Sequence, residues 1–376
     1  SWATGLILIA GLLLSRADLK PWTSHGDGEA EAVRVVWGPT AASAVVRDGA
    51  GKLRLFVDRH HGMGGERGVF IERRQGHIPM LLHGEARSVL VVGVGTGNTI
   101  GAILRHDLET LEAAESLGSV LKMIDLFEAT NMRLWRDERA RIVQTDGHAL
   151  LRRSRAQYDV IVSDLVHPWR GGAAGLYTVD HLRLVRSRLS PGGLFCFWLP
   201  LHELSDDDLA IVVATFLEVF DDGTALLGHL GWRQPIMALI AGGPRDGRVL
   251  LDRDRLLSLL GEMPASVLSE TDLEQPEDLQ SLYLGGRGFL EELARDAPVT
   301  TWDRPFLAYR SATTWWRGTE HLGERSLSAV LAKRRDLDEV VGDDENAKRR
   351  HEAVAILLRA ELAEAAGELQ EAEQGY

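Results

Sequence analysis

The chain has one cysteine in 376 residues, no block of clustered lysines and arginines, and no unbroken apolar run of the roughly 20 residues that a membrane-crossing helix needs. Each absence excludes something. The lone thiol, Cys196, cannot close an internal disulfide, which favours a reducing compartment, and its place in an apolar run marks it as a packed core residue rather than a nucleophile. Without a basic block nothing neutralises phosphates, and a formal net charge of −13 argues against nucleic acid as a partner. The same acidic balance is compatible with a cationic substrate. His60 and His61 stand side by side, but no cysteine or carboxylate follows at ligand spacing, so no metal is expected.

What is present is ordinary globular material, 45% hydrophobic and 26% charged, in a chain long enough for two or three domains. Trp2 to Leu14 is almost wholly apolar and is closed by a polar stretch from Ser15 to Lys20. No basic region precedes it, so a signal peptide is not expected. It reads as the tail of a transmembrane helix, with Arg16 and Lys20 on the cytoplasmic side; the alternative is a buried or interfacial helix.

The centre of the chain is residues 88 to 115. Val89 to Val92 read as a strand buried on both faces, Gly93, Gly95 and Gly97 as a turn, Thr99 to His106 as a helix, and Leu108 to Ala114 as a second strand ending at Glu115. Glycines let the turn take positive φ and let a ligand approach the backbone, while the helix start offers unpaired N–H groups. Glu115 lies 18 residues beyond Gly97. An acid at about that distance is where a doubly wound sheet holds a ribose by its hydroxyls.

Ahead of this unit, residues 32 to 57 alternate as three short strands with Gly-Pro and Asp-Gly turns, a small antiparallel sheet. Residues 59 to 68 read as a glycine-rich loop and Phe70 to His83 as a helix. After Glu115 come a helix from Val120 to Asn131, a strand Ala140 to Gln144 ending in Asp146-Gly147, and a helix from His148 to Arg155. A strand Tyr158 to Ser163 ends in Asp164, and a helix His181 to Leu189, a turn at 190–193 and a strand Leu194 to Leu199 follow. A helix from Ser205 to Phe220 opens with Ser205 as its cap, and Met237 to Ala241 is a further strand. Residues 251 to 296 read as helices, and Ala347 to Glu373 as one truncated helical hairpin of a repeat array. Strand and helix in alternation give an α/β fold: a Rossmann-like, doubly wound, mostly parallel sheet, with a small N-terminal antiparallel β domain and a helical C-terminal tail. The expected domains are 1–20, the end of a transmembrane or interfacial helix; 30–68, the β-sheet; 69–312, the catalytic domain; and 325–376, the tail.

Ligands of an open parallel sheet sit outside the carboxyl ends of its strands. Those ends carry the glycine turn, Glu115, Asp146 and Asp164. Glu115 reads as the ribose holder, Asp146 as acceptor for an adenine amino group, and Asp164 as the acid facing the reacting centre. Gly93, Gly95, Thr96, Gly97 and Gly147 complete the nucleoside site. The glycine- and proline-bearing segment 165–178 reads as a lid, with His167, Trp169 and Tyr177 as its substrate-facing residues.

These pieces, in this order, resemble the polyamine aminopropyltransferase (spermidine synthase) family, and most closely its bacterial branch fused behind transmembrane helices. The resemblance is carried by Gly-His-Ile-Pro-Met-Leu-Leu-His (76–83), Val-Leu-Val-Val-Gly-Val-Gly-Thr-Gly (89–97), Asp146-Gly147 and Tyr-Asp-Val-Ile-Val-Ser-Asp (158–164). His-Pro-Trp with Leu-Tyr-Thr (167–169, 176–178), the run from Pro191 to Leu204, and Asp-Arg-Pro-Phe-Leu-Ala-Tyr-Arg (303–310) complete it.

The resemblance implies transfer of an aminopropyl group from decarboxylated S-adenosylmethionine to an amine, with methylthioadenosine released. Glu115 would bind the ribose and Asp146 the adenine, while Asp164 would orient and deprotonate the attacking amine, which reacts only when neutral. At two positions the chain departs from the family. Thr96 stands where an acid of the glycine loop binds the donor's amine, and His167 stands where a second acid follows the catalytic aspartate. Two other readings stay open: a methyltransferase using intact S-adenosylmethionine, and a non-catalytic, membrane-tethered nucleoside sensor. The expected setting is the cytoplasmic face of a bacterial inner membrane, with a small-molecule amine as partner and a homodimer left open.

Overall fold

The computed structural model describes residues 30–58, 61–231, 233–242, 251–318, 321–341 and 344–374. The apolar segment at 1–20 and His60 lie outside the described residues. Among those described, no helix is long and apolar enough to cross a membrane, and no three or more His, Cys, Asp or Glu side chains gather as a metal site.

Two sheets organise the chain. The first is antiparallel, with strands β1 (Glu31–Trp37), β2 (Ala42–Arg47), β3 (Leu53–Val57) and β4 (His61–Gly65) in that order. The second has eight strands in the order β12-β10-β11-β9-β8-β5-β6-β7. Its parallel part comprises β5 (Ser88–Val92), β6 (Thr110–Glu115), β7 (Ala140–Gln144), β8 (Tyr158–Ser163) and β9 (Leu189–Pro200). An antiparallel flank follows, β11 (Ile236–Gly242), β10 (Thr224–Leu227) and β12 (Tyr283–Gly285). The sheet is thus mostly parallel and Rossmann-like, with helices above and below, as the alternation implied.

The chain winds outward from β5 through β6 to β7, then returns to start β8 on the other side of β5. The ends of β5 and β8 are therefore a switch point, where an open α/β sheet leaves a crevice. The central strands are apolar on both faces because both are covered: Val89, Leu90, Val91, Val160, Ile161 and Val162 are fully buried. Cys196 is buried within β9, whose neighbours are β8 and β11.

Helix α1 (Val69–His83) lies behind the crevice and contains Pro79. A proline has no N–H, so the carbonyl four residues earlier loses its helical partner. That carbonyl is Gln75's, and it accepts instead from Trp198 Nε1 at 3.1 Å. The defect in the helix thus becomes its attachment to β9.

Several expectations need correction. Residues 120–131 do not form one helix: Gly118–Leu121 makes a single α-turn and Ile124–Phe127 a 3-10 turn. Buried Asn131 explains the break, since its Nδ2 donates to Ile124 O and Thr96 O and so takes a carbonyl that a continuous helix would use. Residues 59–68 are not all loop, because β4 pairs with β3 through backbone groups that glycines supply as well as any residue. The turn at 190–193 is an irregularity within β9, whose Leu189 and Leu194 face Tyr158 and Val160. Strands β10 and β12 are too short to show a period, and β12 interrupts the helices of 251–296. The tail 347–373 is not a hairpin but part of one helix, Glu345–Gln374, which Gly367 alone does not break.

Candidate active site

The glycine turn after β5 has the backbone that its composition implies. Gly93 and Gly97 have φ of 99° and 84°, values an L side chain rarely adopts. Gly97 also caps helix α2 (Asn98–Ile103), where a Cβ would run into the buried Leu134 side chain. Gly93 N donates to Ala114 O on one side, and Asp164 N donates to Val92 O on the other. The turn is thereby held between the ends of β6 and β8.

Glu115 is buried and faces this turn. Its Oε2 accepts from Val94 N at 3.1 Å and Gly95 N at 3.4 Å, and its Oε1 from Leu117 N at 2.8 Å. Ionised carboxylates offer about four acceptor positions, so the side chain fixes the turn and keeps capacity for a ligand hydroxyl. Asp146 is exposed and caps the helix Gly147–Arg153, its Oδ1 accepting from Ala149 N at 2.9 Å. Its second oxygen retains acceptor capacity.

Glu115, Asp146, Gly147 and Asp164 line one cavity of about 430 Å³, together with Gly93 and Trp169. Arg170 also lines it, with Asp58 and Glu115 as the nearby opposite charges. A second cavity of about 160 Å³ adjoins through Gly93 and Asp164 and is lined by Gly95, Thr96, Glu72 and Gln75. His167 borders both. The three strand-end acids therefore meet at one sheet edge. Gly97 lines neither cavity, and its part is to shape the turn.

Asp164 sits where the two cavities meet. Gln75 Nε2 donates to its Oδ1 at 2.8 Å. Burial pushes its pKa up to about 7, an effect the Thr99 hydroxyl opposes and the charge of Glu72 reinforces. A carboxylate so poised can take a proton near neutral pH.

The lid segment is pinned at several points. Tyr177 lines neither cavity: its ring packs on Phe197 at 4.9 Å and its hydroxyl donates to Val166 O, tying the segment's two ends together. His167 Nδ1 lies 2.5 Å from Glu203 Oε2, and Trp169 Nε1 donates to the same oxygen at 2.8 Å. Trp169 also stacks on Trp315, with ring centres 4.1 Å apart and planes 9° from parallel. Trp315 belongs to a helix, Phe306–Arg317, that directly follows the Asp-Arg-Pro sequence at 303–305.

Sequence reasoning missed two acids. Glu72, on α1, stands against Thr96: its Oε2 accepts from Thr96 Oγ1 and from Asn98 Nδ2 at 2.9 Å, and its Oε1 from Gly65 N at 3.0 Å. Burial raises its pKa against the effect of these bonds. Glu203 stands behind His167. Each position where the chain lacks an expected acid is therefore backed by one from another element. For Glu203 a signal existed, an acid just past the end of β9; Glu72 reads in sequence as an ordinary first-turn helix acid.

Comparison with known proteins bears on the fold. Residues 70–216 match the family model described as the spermine/spermidine synthase domain. The polyamine aminopropyltransferase of Nitrosomonas europaea is 32% identical over 146 residues, 38% of this chain and 45% of that protein. That of Aeropyrum pernix is 30% identical over 166 residues, 40% of this chain and 50% of that protein. The spermidine synthase of Dictyostelium discoideum is 32% identical over 135 residues, 34% and 47% respectively. The chain thus spans about half the length of these relatives. Among solved structures, a spermidine synthase in complex with the transition state analogue AdoDATO superposes with a TM-score of 0.57 at 18% identity, over 70% of this chain and 87% of that one. The spermidine synthase from Thermotoga maritima gives a TM-score of 0.56 at 17% identity, with the same coverage. At such identities the superposition establishes the fold.

Proposed function

We propose that the protein is an aminopropyltransferase that uses decarboxylated S-adenosylmethionine and a small amine acceptor, a reading supported by the match of residues 70–216 to the spermine/spermidine synthase domain model. The observation that carries this reading is Asp164. It is the one acid shared by both cavities, and burial raises its pKa to about 7.

In this reading the larger cavity takes the adenosyl group, with Glu115 accepting from the ribose hydroxyls and Asp146 from the adenine amino group. The acceptor amine enters beneath the lid. Its nitrogen lone pair attacks the donor carbon attached to sulfur, the C–N bond forms, and the C–S bond breaks with its electron pair left on sulfur. The sulfonium becomes neutral methylthioadenosine. The nitrogen's surplus proton passes to Asp164, which must be ionised to receive it. Two bound reactants held in line supply much of the remaining acceleration.

Trp169, which lines the larger cavity and is braced by the stacked Trp315 and by Glu203, offers an apolar face suited to the methylene chain of a polyamine. We also propose that the apolar residues 2–14 tether the enzyme at the cytoplasmic face of a bacterial inner membrane, which fractionation of cells expressing the full chain tests.

The activity is tested by incubating the protein with decarboxylated S-adenosylmethionine and a panel of diamines and polyamines. Release of methylthioadenosine with formation of the extended amine is expected. Formation of S-adenosylhomocysteine from the intact donor, with no methylthioadenosine from the decarboxylated one, would instead identify a methyltransferase.

A further inference from the structure

We propose that the cavity between the C-terminal helix Glu345–Gln374 and the turn at 334–337 is a binding site for a phosphate group, carried free or as the monoester of a small metabolite. The cavity lies in the tail, outside the residues that match the synthase domain, and the inference does not depend on the reading of the crevice.

The helix's own spacing makes the cavity. Lys348, Glu352, Ala355 and Arg359 recur at intervals of four, three and four residues, so they form one stripe, and that stripe faces the turn that follows the helix Leu322–Lys333. Ala355 has the shortest side chain of the stripe, and its single methyl leaves room for a hollow of about 390 Å³. Such a volume suits a small molecule.

Charge sets this hollow apart. In a chain of net charge −13, its lining carries four cations, Arg334, Arg335, Lys348 and Arg359, against two carboxylates, Asp336 and Glu352. Packing accounts for some of them. Arg334 donates to the carbonyls of Tyr283, Ser281 and His351 at 2.9, 2.6 and 3.0 Å, which joins the turn to strand β12 and to the tail. Arg335 pairs with Glu292 at 2.7 Å, and Lys348 lies 3.4 Å from Glu345.

No such role covers Arg359. Among the described residues it makes no hydrogen bond and no ion pair, yet it stands close enough to Arg334 for the two charges to repel. Burial and that repulsion bring the pKa of Arg334 down to about 10, and burial with the charge of Arg334 takes His351 down to about 4. Carbonyl dipoles hold Arg334 without cancelling its charge, and two of its five N–H groups remain to be placed.

A phosphate supplies what this wall lacks. The lining's excess of two positive charges is matched by a phosphate monoester, which carries roughly −1.5 to −2 at neutral pH. A carboxylate brings only one. Guanidinium groups also present paired N–H donors at the spacing of phosphate oxygens. Bound here, the phosphate bridges Arg359 of the helix to Arg334 of the turn and fastens the tail to the edge of the larger sheet.

Titration calorimetry of the full chain at fixed ionic strength tests this with inorganic phosphate, ribose 5-phosphate and, as a singly charged control, acetate. Saturable binding of a phosphate compound in preference to acetate is expected; tighter binding of ribose 5-phosphate marks a metabolite site, and tighter binding of inorganic phosphate a free-ion site. Arg359→Gln changes an exposed position to a residue that suits a helix. It is expected to weaken phosphate by about tenfold or more, as loss of a charge-assisted bond implies. Arg349→Gln, which removes the same charge one position beyond Lys348 and outside the cavity, is expected to leave binding unchanged. Phosphate should also slow amide exchange across 345–359 in the natural protein and not in Arg359→Gln. The proposal is overturned by no saturable binding to the natural protein, by binding that survives Arg359→Gln, by equal losses in the two variants, or by slowed exchange confined to the crevice.

Discussion

Gln75 donates to Asp164 from one turn beyond Glu72 on the same helix, across 2.8 Å. A donated hydrogen bond favours the ionised carboxylate, while burial favours the protonated acid and prevails over the Thr99 hydroxyl, giving a pKa of about 7. Turnover that needs ionised Asp164 should therefore rise with pH through about 7 and level off above it. Gln75→Leu removes the opposing bond and should move that acidic limb upward by about one pH unit, the worth of one charge-assisted hydrogen bond. The pH profile of kcat/KM in both proteins checks this; an unmoved limb would mean that another group governs it.

Asp164→Asn should lower turnover by roughly a hundredfold to ten-thousandfold, the usual span for loss of a positioned base, while nucleoside affinity changes little. Stability should move the other way. A folded pKa near 7 lies above the unfolded value of 3.8, so the native state binds more protons between them and loses stability as pH rises through that window. The asparagine variant escapes this loss. Its melting temperature should equal or exceed that of the parent at pH 8, with the gap closing towards pH 4.

Glu115→Ala withdraws the acceptor from the backbone N–H groups of Val94, Gly95 and Leu117. Unsatisfied buried donors cost about 1–3 kcal/mol each, so the variant should melt earlier and bind methylthioadenosine at least about tenfold more weakly. Urea unfolding and titration calorimetry measure the two effects separately. Stability lost with affinity intact would confine Glu115 to shaping the turn.

Trp315→Ala removes the ring on which Trp169 lies. Such a stacked pair contributes about 0.5–1.5 kcal/mol beyond its area, so the KM for the amine should rise by roughly three- to tenfold. The donor's KM should stay within about twofold, since the lost energy belongs to the acceptor side. Equal increases for both substrates would place the stack at the shared lid rather than in the acceptor's path.

The sequence carries some of this architecture openly and hides the rest for physical reasons. Strands β5 and β8 show as apolar runs because both their faces are covered, and the acids at or beyond the ends of β6, β7 and β8 could be picked out one by one. Their meeting in adjoining cavities follows from the switch point alone. Glu72 was not visible because it reaches Thr96 across 24 positions of sequence, through contacts that no local spacing encodes. Asn131 broke an expected helix in the same way, by using its side chain on a carbonyl that periodicity assigns to the backbone. Strands β10 and β12 leave no alternation to detect, at four and three residues. Tyr177 has a structural part that its place in a glycine-rich stretch does not announce: its hydroxyl closes the segment on itself.

The sole thiol of the chain is sealed in the middle of the larger sheet, where burial also holds it protonated. Maleimide reagents therefore have no native target on the folded protein. A cysteine introduced at the exposed Gly171, at the tip of the segment over the crevice, would be the one reactive handle. A fluorophore attached there could report opening and closing in real time, with no background substitution needed first.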